Sequence, residues 1–154
     1  MAINIKDLAI SSPAFGFGEP IPTRHAVEGD NISPRLEWTG VPEGTKQLAV
    51  ICHDPDAPLP HGFTHWVIYG IPPTATGIEE DGGSAFTEGV NGWGQVGYGG
   101  PNPPPGHGTH CYYFFVYALD SEIPDGPGLS RAELLDRISE RMIEMNRTMG
   151  TYSR

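Results

Sequence analysis

The stretch GGPNPPPGHGTHCYYFFVYALD, residues 99–120, changes character halfway along its length. Its first ten residues contain four prolines and four glycines and no large apolar side chain. Residues 110–119 are then mostly aromatic and apolar, which predicts a β-strand that begins at His110. A rigid loop directly before a strand fixes the position of the first strand residue, so His110 is the first candidate for a functional side chain.

Four more segments predict strands in the same way, with Gly and Pro residues between them. They are residues 4–10, 35–39, 47–53 and 63–70. Residues 72–100 differ, because they hold nine glycines with little periodicity, and they predict a long surface connection with a short strand near residues 84–87. The pattern therefore predicts a mainly β chain of short strands joined by many turns.

One segment predicts a helix. Ser130 and Glu133 form a capping-box pattern, in which each side chain can bond the backbone amide of the other residue. Apolar residues then follow at spacings of four and three, namely Leu134, Ile138, Met142, Met145 and Met149. This spacing predicts a single amphipathic helix that packs on the sheet and ends at Gly150.

Size and charge limit the classes of function. A chain of 154 residues is expected to form one domain, residues 1–154, with a single core. The net charge of −10 argues against nucleic acid and anionic membranes as partners. No transmembrane segment is expected, because the longest apolar run, residues 112–119, is far shorter than the ~20 residues of a membrane helix. Two cysteines and the lack of a signal-like start predict a cytoplasmic protein.

Two aspartates and two histidines suggest a binding pocket. Asp54 and Asp56 are two residues apart, so in a strand both carboxylates would face the same way. His65 and His110 lie near the starts of two strands. Aspartates beside histidines can raise the imidazole pKa, which creates a donor for phosphate or carboxylate, and the Gly/Pro loop adds unhindered backbone amides.

Metal binding and cysteine chemistry are the alternatives for these residues. The pairs His61 with His65 and His107 with His110 could supply nitrogen ligands, but the first spacing suits a helix rather than a strand. Strand alternation sends the side chain of Cys111 to the face opposite His110, which disfavours a Cys–His nucleophile. We therefore expect no metal and no cofactor.

Sequence patterns along nearly the whole chain resemble the phosphatidylethanolamine-binding protein family, also called Raf-kinase-inhibitor-like proteins, in its short bacterial and archaeal branch. The segments that carry the resemblance are SPRLEWTGVPEGTKQLAVI (33–51), DPDAP (54–58), HWVIYGIP (65–72), GYGGPNPPPGHGTHCYYFFVYALD (97–120) and GTYSR (150–154). The resemblance implies a Greek-key β-sandwich of two antiparallel-rich sheets, with a C-terminal helix, short peripheral helices and a small anion pocket.

The resemblance also implies which residues form that pocket. Asp54, Asp56 and Pro58 match the first family signature, and His65 matches the pocket histidine that follows it. Gly100 and Pro101 match the loop that walls the pocket, while His110 and Tyr112 match the His-x-Tyr of the second signature. The implied ligand is a small anion: phosphate, a phosphorylethanolamine-like headgroup or a carboxylate.

Three positions depart from the family pattern. Cys111 stands where the family has arginine, His53 stands where an acid often precedes DPDAP, and Arg141 aligns with a common histidine. If positions 53 and 111 are neighbours in the fold, the loss of both charges leaves neither one without a partner. Cys52 shares a face with Asp54, so Cys52 and Cys111 should lie on opposite faces and form no disulfide.

Three functions fit these residues. The first is a non-enzymatic anion-binding or headgroup-binding protein, which could present its liganded pocket to a protein partner. The second is a cofactor-independent isomerase, epimerase or cyclase that uses Asp54, His65 and His110 for acid–base chemistry. The third is a kinase or protease inhibitor that uses residues 72–100 for recognition. The resemblance also implies a possible homodimer.

Overall fold

The computed structural model describes residues 6–154. Within this range the chain forms eight β-strands, one α-helix and two short 3-10 turns, the turns at Thr23–His25 and Gly83–Ala85. The strands are β1 (Ala9–Ser11), β2 (Leu36–Thr39), β3 (Gln47–Asp54), β4 (Phe63–Ile71), β5 (Gly77–Ile78), β6 (Thr87–Glu88), β7 (His110–Leu119) and β8 (Met142–Tyr152), and the helix is α1 (Arg131–Ser139).

These strands form two antiparallel sheets. The smaller sheet has the order β1-β2-β5, and the larger has the order β6-β4-β3-β7-β8. The central strand β3 is buried along its whole length, because both faces of the larger sheet are covered. The predicted mainly β fold with two antiparallel sheets and one helix is confirmed.

Two apolar clusters cover the two faces of the larger sheet. The first fills the space between the sheets, where Leu36 and Trp38 of β2 join Val50 and Phe114 of the larger sheet. The second lies on the opposite face, where Leu134 and Ile138 of α1 pack with strand residues such as Ile51 and Val67. The core therefore has three layers, in the order small sheet, large sheet and helix.

The predicted helix is right at its start and wrong at its end. Ser130 caps the helix, since its hydroxyl accepts from the Glu133 amide and the Glu133 carboxylate accepts from the Ser130 amide. The helix stops at Ser139, and Met142–Tyr152 forms strand β8 instead. Pairing with β7 from Leu119↔Met142 to His110↔Tyr152 determines the conformation, so the methionine spacing does not mark a helical face.

Burial along β8 follows the period of a strand. Glu144, Thr148, Gly150 and Tyr152 are buried and are all even-numbered, as expected for side chains that face the same side of a sheet. The helix is therefore followed by an eleven-residue strand and is not C-terminal.

The glycine-rich region is more structured than the sequence indicates. Residues 72–100 contain β5, a 3-10 turn at Gly83–Ala85 and β6, so the strand predicted near residues 84–87 begins at Thr87. Ile78 and Asn91 are buried there, whereas Trp93 and Val96 are exposed. The strand predicted at residues 4–10 appears only as Ala9–Ser11, and residues 4 and 5 lie outside the described residues.

No helix in the described part of the chain has the length and apolar character that a membrane crossing needs.

Candidate functional site

The antiparallel arrangement of the larger sheet brings the candidate residues together. Strand β3 ends at Asp54, its neighbour β7 begins at His110, and its other neighbour β4 begins at Phe63, two residues before His65. In antiparallel neighbours the end of one strand lies beside the start of the next, so these residues meet where the end of β3 lies between the starts of β4 and β7. They surround a cavity of about 260 Å³.

Asp54 and His110 form a buried hydrogen-bonded pair. His110 Nδ1 lies 2.7 Å from Asp54 Oδ2, and both side chains are almost fully buried. The other carboxylate oxygen, Asp54 Oδ1, accepts from the Asp56 amide at 2.7 Å. Because an ionised carboxylate only accepts hydrogen bonds, the Nδ1 proton stays on His110, and Nε2 is the nitrogen available to a partner.

That second nitrogen faces another histidine. His107 lies in the exposed loop before β7, and its Nδ1 is 2.7 Å from His110 Nε2. A single proton lies between these two nitrogens, because a hydrogen bond needs one donor and one acceptor. Asp54, His110 and His107 therefore form a continuous hydrogen-bonded line from the buried floor to the surface.

His65 is held differently. Its Nδ1 donates to the Gly99 carbonyl at 2.8 Å, and burial lowers the pKa of the ring. A neutral ring with its proton on Nδ1 offers Nε2 as a hydrogen-bond acceptor. Burial also raises the pKa of the Tyr112 phenol, with the Asp54 charge adding to the shift, so this hydroxyl stays protonated and can donate.

The remaining predicted residues divide into two groups. Pro58 lines the cavity together with Asp54, His65, His110 and Tyr112. Asp56, Gly100 and Pro101 do not line the cavity that these described residues form. The strand ends at Asp54, so alternation does not continue to Asp56, whose carboxylate accepts from the Cys111 amide at 2.8 Å.

Gly100 and Pro101 precede the loop residues that line the cavity. The Gly100 amide donates to Asn31 Oδ1 at 2.7 Å, and a Cβ at this position would lie 1.9 Å from the His25 carbonyl oxygen. Only glycine allows this close approach. The wall itself is formed by the next loop residues, Asn102, Pro103 and Pro104.

An apolar part of the cavity was not predicted from the sequence. Its residues are Ala57, Leu59, Phe63, Trp93, Pro103 and Pro104. The Phe63 and Trp93 rings meet edge to face, with centroids 4.5 Å apart, and Trp93 also contacts the His65 ring at 5.5 Å. The sequence signal for this part of the cavity is Trp93 between two glycines in a polar loop. A large aromatic side chain in such a loop indicates a binding surface.

Cys111 lies on the opposite face of the sheet. His53 pairs with Tyr113 and Cys52 pairs with Phe114, so Cys111 shares the face of His53, and the two cysteines are on opposite faces. Both cysteines are free, as predicted. Burial raises the pKa of the Cys111 thiol, and Asp56 raises it further, which keeps the thiol protonated.

Metal binding is the alternative role for the histidines near the cavity. Within residues 6–154, no cluster of three or more His, Cys, Asp or Glu side chains has an arrangement that could hold a metal ion. His61 is exposed whereas His65 is buried, and only His65 lines the cavity.

The fold is a β-sandwich of two antiparallel sheets, with an Asp–His cavity where strands β3, β4 and β7 of the larger sheet meet. The sequence model of the phosphatidylethanolamine-binding protein family matches residues 11–153, so the chain belongs to this family. A relative from Methanothermobacter thermautotrophicus, called UPF0098 protein, is 42% identical over 151 residues, which cover 94% of this chain and 98% of the relative.

Two solved structures are similar over nearly the whole chain. Escherichia coli YbcL, described as a new member of the mammalian PEBP family, has a TM-score of 0.91 at 34% identity and covers 97% of this chain and 99% of its own. The PEBP homologue CT736 of Chlamydia trachomatis has a TM-score of 0.90 at 34% identity, with 96% and 97% covered. The family model and these bacterial and archaeal relatives confirm the predicted family and its short bacterial and archaeal branch.

Proposed function

We propose that the cavity binds a small oxyanion, such as phosphate, a phosphorylated headgroup or a carboxylate, and that this is a binding function rather than catalysis. The observation that carries the proposal is the buried Asp54–His110 pair at the cavity floor. The Asp54 carboxylate orients the His110 ring through Nδ1, and an imidazolium, which donates from both nitrogens, would hold an oxyanion at Nε2.

Neighbouring groups complement an oxyanion that retains one proton. Tyr112 supplies a neutral hydroxyl that donates, and His65 supplies an acceptor nitrogen. A monoprotonated phosphate has both acceptor oxygens and one donor hydroxyl, so it can satisfy all three groups. The two oxygens of Asp54 accept from the Asp56 amide and the His110 ring, so these donors lie between the carboxylate and a ligand at His110 Nε2.

Isothermal titration calorimetry tests this proposal. Inorganic phosphate, phosphorylethanolamine and acetate are titrated into the protein in a buffer free of phosphate and carboxylate. We expect binding of at least one of them, and loss of that binding in His110→Ala. His61→Ala is the matched control, because His61 is exposed and does not line this cavity. Absence of binding, or equal binding by His110→Ala, contradicts the proposal.

A second candidate function is acid–base catalysis on a small metabolite. The line Asp54–His110–His107 favours it, because a carboxylate that orients an imidazole is the arrangement that lets a histidine accept and release a proton. The proton could reach solvent through His107, which is exposed. Incubation with a panel of sugar phosphates in D₂O, followed by proton NMR, tests this function. Deuterium incorporation that His110→Ala abolishes would support catalysis, and no incorporation would contradict it.

Location and assembly are further parts of the proposal. Free Cys52 and Cys111 fit a reducing cytoplasm. The family resemblance also suggests a homodimer, which could present the occupied cavity to a protein partner. Light scattering of the purified protein measures the mass directly, and the mass of a single chain of 16.6 kDa would contradict a dimer.

A further inference from the structure

The exposed loop before β7 places one side chain against the cavity floor. Residues 104–109 are all exposed, whereas His110 is buried at the start of the strand. His107 belongs to this loop, and its Nδ1 lies 2.7 Å from His110 Nε2, with the two ring centroids 4.9 Å apart. The His107 ring therefore ties the loop to the floor.

The backbone on both sides of His107 is suited to a hinge. Gly106 and Gly108 have φ values of +74° and +93°, in the region that favours glycine, and a Cβ at either position would meet no atom within 4 Å. The Gly106 amide donates to the backbone oxygen of Arg154 at 3.0 Å. The His107 amide donates to the Pro104 carbonyl at 3.1 Å, which is a contact within the loop. Rotation at the two glycines can therefore carry the His107 ring away from the floor without repacking the core.

The hydrogen bond between the two rings depends on how many protons they carry. His110 Nδ1 donates to Asp54, so the contact joins His110 Nε2 to His107 Nδ1. When neither ring is charged, or only one is, one of these nitrogens donates and the other accepts. When both rings are charged, both nitrogens carry a proton, and two donors with two positive charges face each other. Uptake of the second proton therefore breaks the hydrogen bond.

The elements around this pair carry further titratable groups. They are Asp54 of β3, Asp56 of the loop after β3, His65 of β4, Tyr112 of β7, Tyr152 of β8, and Arg154 with its partner Glu28. Burial lowers the pKa of the His65 ring and raises the pKa of both tyrosine phenols, so these three groups stay neutral near neutral pH. The protons on the two rings themselves therefore decide whether their hydrogen bond forms.

From this geometry we propose that residues 104–109 form a gate that opens in acid, in which the His107 ring covers His110 Nε2 until both rings are protonated. The inference rests on the proposed oxyanion function and concerns its regulation. Protonation acts twice in the same direction, because it releases the His107 ring and leaves His110 Nε2 as a free donor for an oxyanion. Histidine side chains in general change charge between pH 5 and pH 8, so the gate couples binding to pH in that range.

Nitrogen-15 NMR of the histidine rings tests the gate before any ligand is added. In the wild-type protein the His107 and His110 rings should take up protons in two coupled steps, separated by more than about one pH unit. In His107→Ala the His110 ring should take up its proton in a single step. Two independent single-step titrations in the wild-type protein would overturn the gate.

Calorimetric titration with inorganic phosphate and with acetate, at pH 8 and at pH 5.5, tests the coupling to binding. The affinity of each variant is compared with that of the wild-type protein at the same pH, so the ionisation of the ligand itself cancels. His107→Ala should bind about three- to tenfold more tightly than the wild-type protein at pH 8. At pH 5.5 the two affinities should agree within about twofold, because protonation has then opened the wild-type gate.

His107→Gln separates the effect of protonation from the presence of the side chain. A glutamine amide can donate to His110 Nε2 or accept from it but takes up no proton, so it should keep the gate closed at both pH values. We expect His107→Gln to bind about three- to tenfold more weakly than the wild-type protein at pH 5.5. His61→Ala is the matched control, because His61 is exposed and does not line the cavity, and its pH dependence should equal that of the wild-type protein.

The same affinity ratio between His107→Ala and the wild-type protein at both pH values overturns the gate alone, as does equal binding by His107→Gln and the wild-type protein at pH 5.5. If neither phosphate nor acetate binds at either pH, the oxyanion function fails, and its regulation fails with it even where the two rings titrate as a coupled pair.

Discussion

Two histidines of the cavity, His65 and His110, are each held through Nδ1, but by different partners. The Gly99 carbonyl accepts from His65, whose pKa burial lowers, whereas the Asp54 carboxylate holds His110. Residue types and the family resemblance pointed to both histidines and to Asp54. The sequence could not show that Asp56 contacts the Cys111 amide, because that contact depends on where β3 ends.

His107 provides a prediction at the level of a single residue. Its Nδ1 occupies the hydrogen-bonding position at His110 Nε2 that a bound oxyanion would need. His107→Ala removes this competitor, so we expect phosphate to bind about three- to tenfold more tightly, as estimated from the net free energy of one hydrogen bond. Titration calorimetry measures the change, with His61→Ala as the control. Weaker binding by His107→Ala would show that His107 contacts the ligand instead.

At the level of elements, β8 shows most clearly where sequence patterns fail. Met142, Met145 and Met149 have helical spacing, yet they belong to a strand that pairs with β7 over its full length. A local pattern cannot report a strand partner that is some thirty residues away, whereas the Ser130 cap is local and was predicted correctly. For the same reason β3, β4 and β7 were predicted within one residue at each end, since their apolar runs are continuous.

Gly150 in β8 tests this assignment. A Cβ at this position would lie 2.5 Å from Ile21 Cγ1 and 2.8 Å from ring carbons of Phe15. Gly150→Ala should therefore lower the free energy of unfolding by about 1–3 kcal/mol through overpacking. Urea denaturation measures the loss. Gly126→Ala is the matched control, because a Cβ there meets no atom within 4 Å and its stability should change by less than about 1 kcal/mol. Equal effects of the two substitutions would contradict the strand.

At the level of the whole molecule, buried histidines make stability depend on pH. Burial lowers the pKa of His53 to about 4, with the charge of Arg131 adding to the shift, and burial also lowers the pKa of His65. A histidine with a lowered pKa binds fewer protons in the folded state than in the unfolded state. Its contribution to the free energy of unfolding is therefore complete above about pH 6.5 and is lost as the pH falls toward 4.

We therefore expect the free energy of unfolding to fall by about 1–3 kcal/mol between pH 7 and pH 5. Urea denaturation at a series of pH values measures the change. His53→Gln cannot titrate at this position and should show a smaller decrease than the wild-type protein. A free energy of unfolding that is constant between pH 7 and pH 5 would contradict the buried, neutral state of these rings.

We propose above all that an oxyanion binds where strands β3, β4 and β7 meet, between Asp54, His65 and His110. A crystal structure of the protein grown with inorganic phosphate tests it most directly. We expect a phosphate oxygen about 2.7–2.9 Å from His110 Nε2, with the His107 ring displaced from that position. A phosphate bound elsewhere, or a cavity that holds only water at a saturating phosphate concentration, would contradict it.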